Sequence, residues 1–276
     1  MGSGKPLEHV HEALRQSLFS EAIGAASDIS LDELAEEQQS HLMDLLLAAA
    51  AGLSDGSGAE LEAYDLVVDI GNVLSQRDEA YAAAIQLKTN SALFNKGVVL
   101  AQIGRWEDAI AAYDELVRRT GGARELGLRE NAVRALFNKG ASLRGLDRRE
   151  EAIDVYDELI RRFASDTEPS FDIAVSKAYI NKGVALAELN RLDEAIAVLD
   201  EVVSRWGNST DPHLRERISK ALLNKASALV QLSHREAALA TYEEILMRFG
   251  SASDPELKRQ VEIARHGKED LETNLN

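Results

Sequence analysis

A pattern repeated four times at a step of 43 residues constrains this chain more than any other feature of it. The tripeptide Asn-Lys-Gly begins at Asn95, Asn138 and Asn181, and Asn224-Lys225-Ala226 continues the series. Ala109, Ala152, Ala195 and Ala238 keep the same step, as do Tyr113, Tyr156, Leu199 and Tyr242. Between 93–119 and 136–162, 16 of 27 residues are identical. Repetition at a fixed period of this length makes each period one structural unit, which buries its apolar face only against its neighbours.

Each unit reads as two helices. The first includes 93–100. In the second, apolar residues at Ala109, Ile110, Tyr113, Leu116 and Val117 recur at helical spacing. Gly104, Asp147, Asn190 and Ser233 fall between the helices, and all four residue types suit turns. Hydrophobic residues make up 45% of the chain but aromatic ones only 5%. The apolar content is therefore mostly aliphatic and rich in Ala and Leu, which favours close helix packing over a sheet.

These units resemble tetratricopeptide repeats. The small residue of the first helix (Gly97, Gly140, Gly183, Ala226) matches the family's close-approach glycine. The alanine early in the second helix matches at Ala109, Ala152, Ala195 and Ala238, and the aromatic at Tyr113, Tyr156 and Tyr242. Gly-Arg-Trp-Glu-Asp-Ala-Ile at 104–110 is close to the family's turn. The resemblance covers 91–250 and implies an all-α, right-handed α-solenoid of antiparallel helix pairs. The departure is the period, since the family's repeat has about 34 residues. HEAT and armadillo repeats fit 43 residues better by length, but the small-residue signature and the turn favour the tetratricopeptide reading.

Proline locates the additional residues. Pro169, Pro212 and Pro255 are again 43 apart and follow Glu168, Asp211 and Asp254. An acid before Pro reads as a helix N-cap and first helical position. Each first helix is thereby extended backwards to roughly 20 residues, or about 30 Å. The expected organisation is an N-terminal helical cap (1–40), a degenerate repeat-like helix pair and linker (41–90), four repeats (91–133, 134–176, 177–219, 220–250) and a polar C-terminal capping helix (251–276). Within the first cap, 5–27 and 30–40 read as helices, the second opened by an Ser30–Glu33 capping box.

Several function classes are disfavoured. The chain has no Cys, so thiolate chemistry and Cys-ligated zinc are excluded, and a cytoplasmic setting is expected. No apolar run approaches the about 20 residues a membrane span needs, and no signal peptide is visible. The formal net charge is −16. Residues 1–90 carry 4 Lys/Arg against 16 Asp/Glu, and 91–276 carry 27 against 31. Such a chain repels phosphate backbones, so no nucleic-acid partner is expected. His9 and His11 are two apart and so do not share a helix face, which disfavours a metal site. The Gly-rich segment 54–58 lacks a phosphate loop's Lys-Ser/Thr ending. Carboxylate pairs such as Asp114-Glu115 recur in every unit, whereas a catalytic pair is needed once. No catalysis, cofactor or metal is expected.

The informative constellation lies on the first helices. Asn95, Asn138, Asn181 and Asn224 are each preceded, four residues earlier, by Ser91, Arg134, Lys177 or Lys220, on the same helix face. The resemblance implies that this face lines a concave groove in which the Asn hold a bound peptide's backbone. An amide donates and accepts, so it can satisfy a peptide without reading side chains. Arg134, Lys177 and Lys220 would attract carboxylates. The alternative is that these Asn bond within the fold and fix packing. Lys96, Lys139, Lys182 and Lys225 point elsewhere, and a pairing with Glu115, Glu158, Glu201 and Glu244 is expected, a second binding surface being the other reading.

The function expected is therefore that of a scaffold or adaptor, a monomer, binding an extended protein or peptide segment with acidic groups or a C-terminal carboxylate. The alternative is a regulatory or sensor region of a larger signalling protein. The acidic first 90 residues would be an internal competitor for the groove.

Overall fold

The computed structural model describes residues 7–75, 79–166 and 168–273. The ends of both expected caps (1–6 and 274–276) and part of the expected linker (76–78) lie outside the described residues. Among the described residues there are thirteen α-helices and no strand. The architecture is an α-solenoid of antiparallel helix pairs, and the chain divides into two compact units, Met1–Ser142 and Leu143–Asn276.

The first unit holds α1 (Glu8–Arg15), α2 (Phe19–Ser27), a 3-10 turn (Leu31–Glu33), α3 (Glu36–Leu53), α4 (Gly58–Leu74), α5 (Glu79–Gln102), α6 (Trp106–Arg119) and most of α7 (Leu126–Gly145). The second holds α8 (Arg149–Phe163), α9 (Pro169–Glu188), α10 (Leu192–Trp206), α11 (Pro212–Gln231), α12 (Arg235–Phe249) and α13 (Pro255–Thr273). In the second unit each helix packs on the next, and α9 also packs on α11, so first helices line up side by side.

The turns explain why each pair doubles back. Gly104, Asp147, Asn190 and Ser233 all adopt positive φ, between 59° and 79°. There the N–H of the next residue reaches back five positions: Arg105 to Leu100 O, Arg148 to Leu143 O, Arg191 to Leu186 O and His234 to Leu229 O, at 2.8–2.9 Å. This left-handed closure satisfies carbonyls that the helix end would otherwise orphan. In α6 the apolar stripe is buried, with Glu107 and Asp108 in the first turn and Arg118 and Arg119 in the last, each favourable to the helix dipole.

Close approach needs the small residues. A Cβ on Gly97 would lie 2.5 Å from the Tyr113 ring, and one on Gly183 2.8 Å from Leu199 Cγ. The ring of Tyr113, fully buried, thus lies directly under α5.

The prolines open α9 and α11, each 20 residues long. Asp211 accepts from Leu214 N at 3.0 Å and Asp254 from Leu257 N at 2.9 Å. Glu168 makes no side-chain cap bond; its side chain is one methylene longer than the Asp that caps well.

The N-terminal region departs from expectation twice. Residues 8–27 are two helices, broken at Ser17, whose φ is 58°. The Ser30–Glu33 capping box is absent: Ser30 makes no cap bond. Gln39 instead donates to the carbonyls of Leu31 and Leu34 at 2.7 and 3.1 Å, and this holds Leu34 extended. The helix starts at Glu36, where Ala35 N donates to Gln38 Oε1 at 3.0 Å. The acidic N-terminal stretch is thus folded, with Leu42, Met43, Leu46, Val67 and Ile70 in its unit's own core.

Candidate partner-binding face

Tyrosines from the second helices meet the recurrent Asn. In the first unit the Tyr113 hydroxyl, projecting from α6 past Gly97, is hydrogen-bonded to the Asn138 side chain of α7. Burial pushes this phenol up to about 12, against the pull of that bond, so it stays neutral. In the second unit Asn181 Nδ2 donates to Tyr156 Oη at 3.5 Å. At the third position of this column Leu199 replaces Tyr. Asn224, 25 residues beyond it, has its buried Nδ2 without a hydrogen-bond partner among the described residues. Asn95 is exposed. The four Asn are therefore not equivalent: two are engaged by phenols, one is at the surface and one is unsatisfied.

Hollows lie beside two of them. In the first unit one of about 270 Å³ is lined by Val98 and Ala101 of α5, Tyr113 of α6 and Asn138 of α7. In the second unit one of about 280 Å³ is lined by Val184 and Ala187 of α9, Leu199 of α10 and Asn224 of α11. Their lining residues correspond pairwise at two periods. Arg144 stands one period from Ala101 and from Ala187. It carries a guanidinium into that column and binds Glu188 at 2.5 Å.

The expected cations divide. The Arg134 guanidinium lies 3.9 Å from the Phe94 ring centroid, a cation–π contact on the exposed face. Lys177 and Lys220 stand on the packed helices α9 and α11, and a third cation, missed by sequence reasoning, acts on Lys177. The Lys177 pKa is lowered, chiefly by burial and then by the charge of Arg217, with Lys220 adding to it and Glu216 opposing. Arg217 touches Glu216 at 3.4 Å, and its Nε is buried without a partner. Arg217 is three residues before Lys220 and seven before Asn224, so helical spacing alone places it on this face. It has no counterpart one period earlier, where Ala174 stands, and the repeat pattern therefore gave no sign of it.

The other lysines form a ladder, with a correction to the partner. Lys139, Lys182 and Lys225 bind Asp114, Asp157 and Asp200, each at 2.5 Å, not the adjacent Glu. Lys96 pairs with Asp65, and Lys268 with Glu243 at 2.8 Å. Glu115, Glu158, Glu201 and Glu244 instead bind Arg119, Arg162, Arg205 and Arg248 four residues on in their own helices. One residue turns a helix by about 100°, and it is the Asp that faces the next first helix. The pairing of Lys96 with Asp65 also ties α4 to α5 as a repeat-like step.

Elsewhere the candidates for chemistry are accounted for. Glu60 accepts from the backbone N–H groups of Asp55 and Gly56, so the Gly-rich loop's amides are engaged internally. His11 and His41 approach at 3.2 Å, Nε2 to Nε2. Among the described residues no group of three or more His, Asp or Glu could hold a metal ion, and no helix is long and apolar enough to cross a membrane.

With this geometry in hand, the likeness to known proteins is consistent. Tetratricopeptide-repeat profiles match residues 78–124, 134–166 and 176–205. The crystal structure of the apo form of RapI is similar at 12% identity and a TM-score of 0.59, covering 98% of this chain and 84% of that one. BtubC (BKLC) from P. vanneervenii is similar at 14% identity and a TM-score of 0.53, covering 97% and 92%. At such identities the likeness concerns the fold. No curated protein sequence matches the chain. Over the residues those profiles match, the chain thus carries tetratricopeptide-type repeats. Repeats of this type make protein-interaction scaffolds in general.

Proposed function

We propose that the chain is a non-enzymatic adaptor that binds an extended, acidic segment of a partner protein on the face formed by its first helices. The observation that carries this is the unpaired Nδ2 of Asn224 on an open hollow between α9 and α11, the two helices that also carry Lys177, Arg217 and Lys220. Lys177, Arg217 and Lys220, with Glu216 beside Arg217 and Glu256 within the field of Lys220, leave an excess of positive charge that favours an anionic group. An unpaired buried amide costs about 1–3 kcal/mol, which a ligand's carbonyl or hydroxyl can recover. In the first unit the exposed Asn95 and Arg134 and the hollow beside Asn138 offer the same chemistry with less charge. A free C-terminal carboxylate fits the cluster as well as Asp or Glu does. A monomer in a reducing, cytoplasmic setting suits a chain without Cys.

The test is selection of a random-peptide display library on the intact protein. Selected peptides should be rich in Asp and Glu or depend on a free C-terminus. Their binding should fall on Lys177→Glu or Lys220→Glu, most strongly at low salt, because salt screens exposed charges. Peptides that bind both charge-reversed proteins as well as the parent would rule the reading out.

A further inference from the structure

We propose that the hollow between α9 and α11 is a side-chain-reading subsite for a phenol, namely a tyrosine of the bound partner segment. This deepens the proposed function and rests on the partner lying on the first-helix face.

The reason is a substitution within the repeat. Where the column holds Tyr113 and Tyr156, a phenol projects from the second helix, and its hydroxyl meets Asn138 or Asn181 on the following first helix. At Leu199 the side chain reaches under Gly183, where a Cβ would lie within 2.8 Å of it, and carries no hydroxyl onward. The Asn is retained as Asn224, and its Nδ2 has no partner among the described residues. A hollow of about 280 Å³, lined by both Leu199 and Asn224, opens at this place. The corresponding hollow beside Asn138 coexists with the Tyr113 phenol, so what sets this one apart is not the space but the unpaired Nδ2 of Asn224.

The size suits one side chain. Sites for whole small molecules occupy about 300–1,000 Å³, and this hollow falls just below that range. Its walls are apolar at Val184, Ala187 and Ala228, and Glu188 stands on its lining. An aliphatic side chain would leave the amide as unpaired as it is now. A carboxylate would accept from the amide but would lose its water against the apolar wall, with the nearby cations Arg144 and Arg149 already taken up by Glu188. A phenol places its ring on the apolar wall and its hydroxyl, which both donates and accepts, on the Asn224 amide in either orientation of that amide. Acidic groups of the same segment would then lie toward Lys177 and Lys220, one helical turn before Asn181 and Asn224.

The experiment needs no partner. p-Cresol is titrated into the intact protein, with toluene as the probe that lacks the hydroxyl, and NMR follows the Val184 and Leu199 methyls and the Asn224 side-chain amide. Saturable shifts are expected with p-cresol, and a roughly tenfold weaker response with toluene, the worth of one hydrogen bond. Leu199→Tyr engages the Asn224 amide from within and should reduce the p-cresol response to that of toluene, while melting no lower than the parent. Asn224→Leu, which keeps a hollow but removes the amide, should erase the difference between the two probes, and it decides the matter should Leu199→Tyr fold poorly. No shift with p-cresol in the parent, equal response to toluene, or shifts unchanged in Leu199→Tyr would overturn the phenol subsite. None of those results touches the wider reading, which stands or falls on peptide binding by the Lys177 and Lys220 variants.

Discussion

Lys182 binds Asp157 at 2.5 Å, from a first helix to the second helix before it, and the same bond recurs at Lys139–Asp114 and Lys225–Asp200. Each pair is partly exposed, so each is worth about 0–1 kcal/mol. Lys182→Ala and Asp157→Asn should each lower stability within that range, and the double variant should cost no more than the larger single, as coupled residues do. Lys182 and Glu158 should show no coupling. Urea unfolding of these variants, and of Glu158→Gln alone and combined with Lys182→Ala, measures this, and energetic coupling to Glu158 would return the ladder to Glu.

Tyr113→Phe should cost about 0.5–1.5 kcal/mol, the ordinary net worth of one hydrogen bond. The ring keeps its place under Gly97 and only the contact with Asn138 is lost. Because the phenol ionises only at about 12, the loss should be the same at pH 6 and pH 9. A difference that grows across that range would contradict the assignment.

Gly97→Ala places a methyl against a fully buried ring. Overpacking of this kind costs about 1–3 kcal/mol. The variant should melt lower than the parent while keeping its helical circular dichroism. An unchanged melting temperature would show that α5 and α6 are not held as closely as described.

Acid should weaken the C-terminal end of the second unit. Arg259 and then Gln260, by hydrogen bonds, hold the Glu256 carboxyl at about 2, and the charges of Arg259 and Lys220 assist. A carboxyl depressed in the folded state contributes fully above its unfolded value, near 4.5, and loses that contribution as pH falls through the folded one. Thermal melts should therefore drop between pH 4.5 and 2, and Glu256→Gln should flatten part of that drop. Identical pH profiles for the two proteins would remove Glu256 from the account.

Much of the repeat was legible because its signals are local and recur. The positive-φ residues at 104, 147, 190 and 233 stand at one step, and so do the small residues that admit the neighbouring side chain. The N-terminal region lacks that support. The pattern at Ser30 and Glu33 satisfies a capping rule locally, but Gln39, from the following helix, takes the carbonyls and moves the start to Glu36. In the candidate site, spacing places Asn on one face but cannot say what the amide meets, since its partner Tyr is 25 residues away in the preceding helix. The choice between Asp157 and Glu158 for Lys182 turns on a single residue's rotation. Arg217 has no periodic counterpart. Leu199 is visible as a break in the column, yet the break acquires meaning only once the Tyr hydroxyl is seen on the Asn.

The central claim is that a partner lies on the first-helix face, and site-specific photo-cross-linking tests it most directly. A photoreactive residue is placed either at Ser227, on the lining of the hollow, or at Met247 of α12, 80% exposed and outside it. With a peptide selected on the intact protein, cross-linking is predicted from position 227 and not from position 247, and competition with unlabelled peptide should suppress it. Cross-linking from position 247 with none from position 227 would contradict the account.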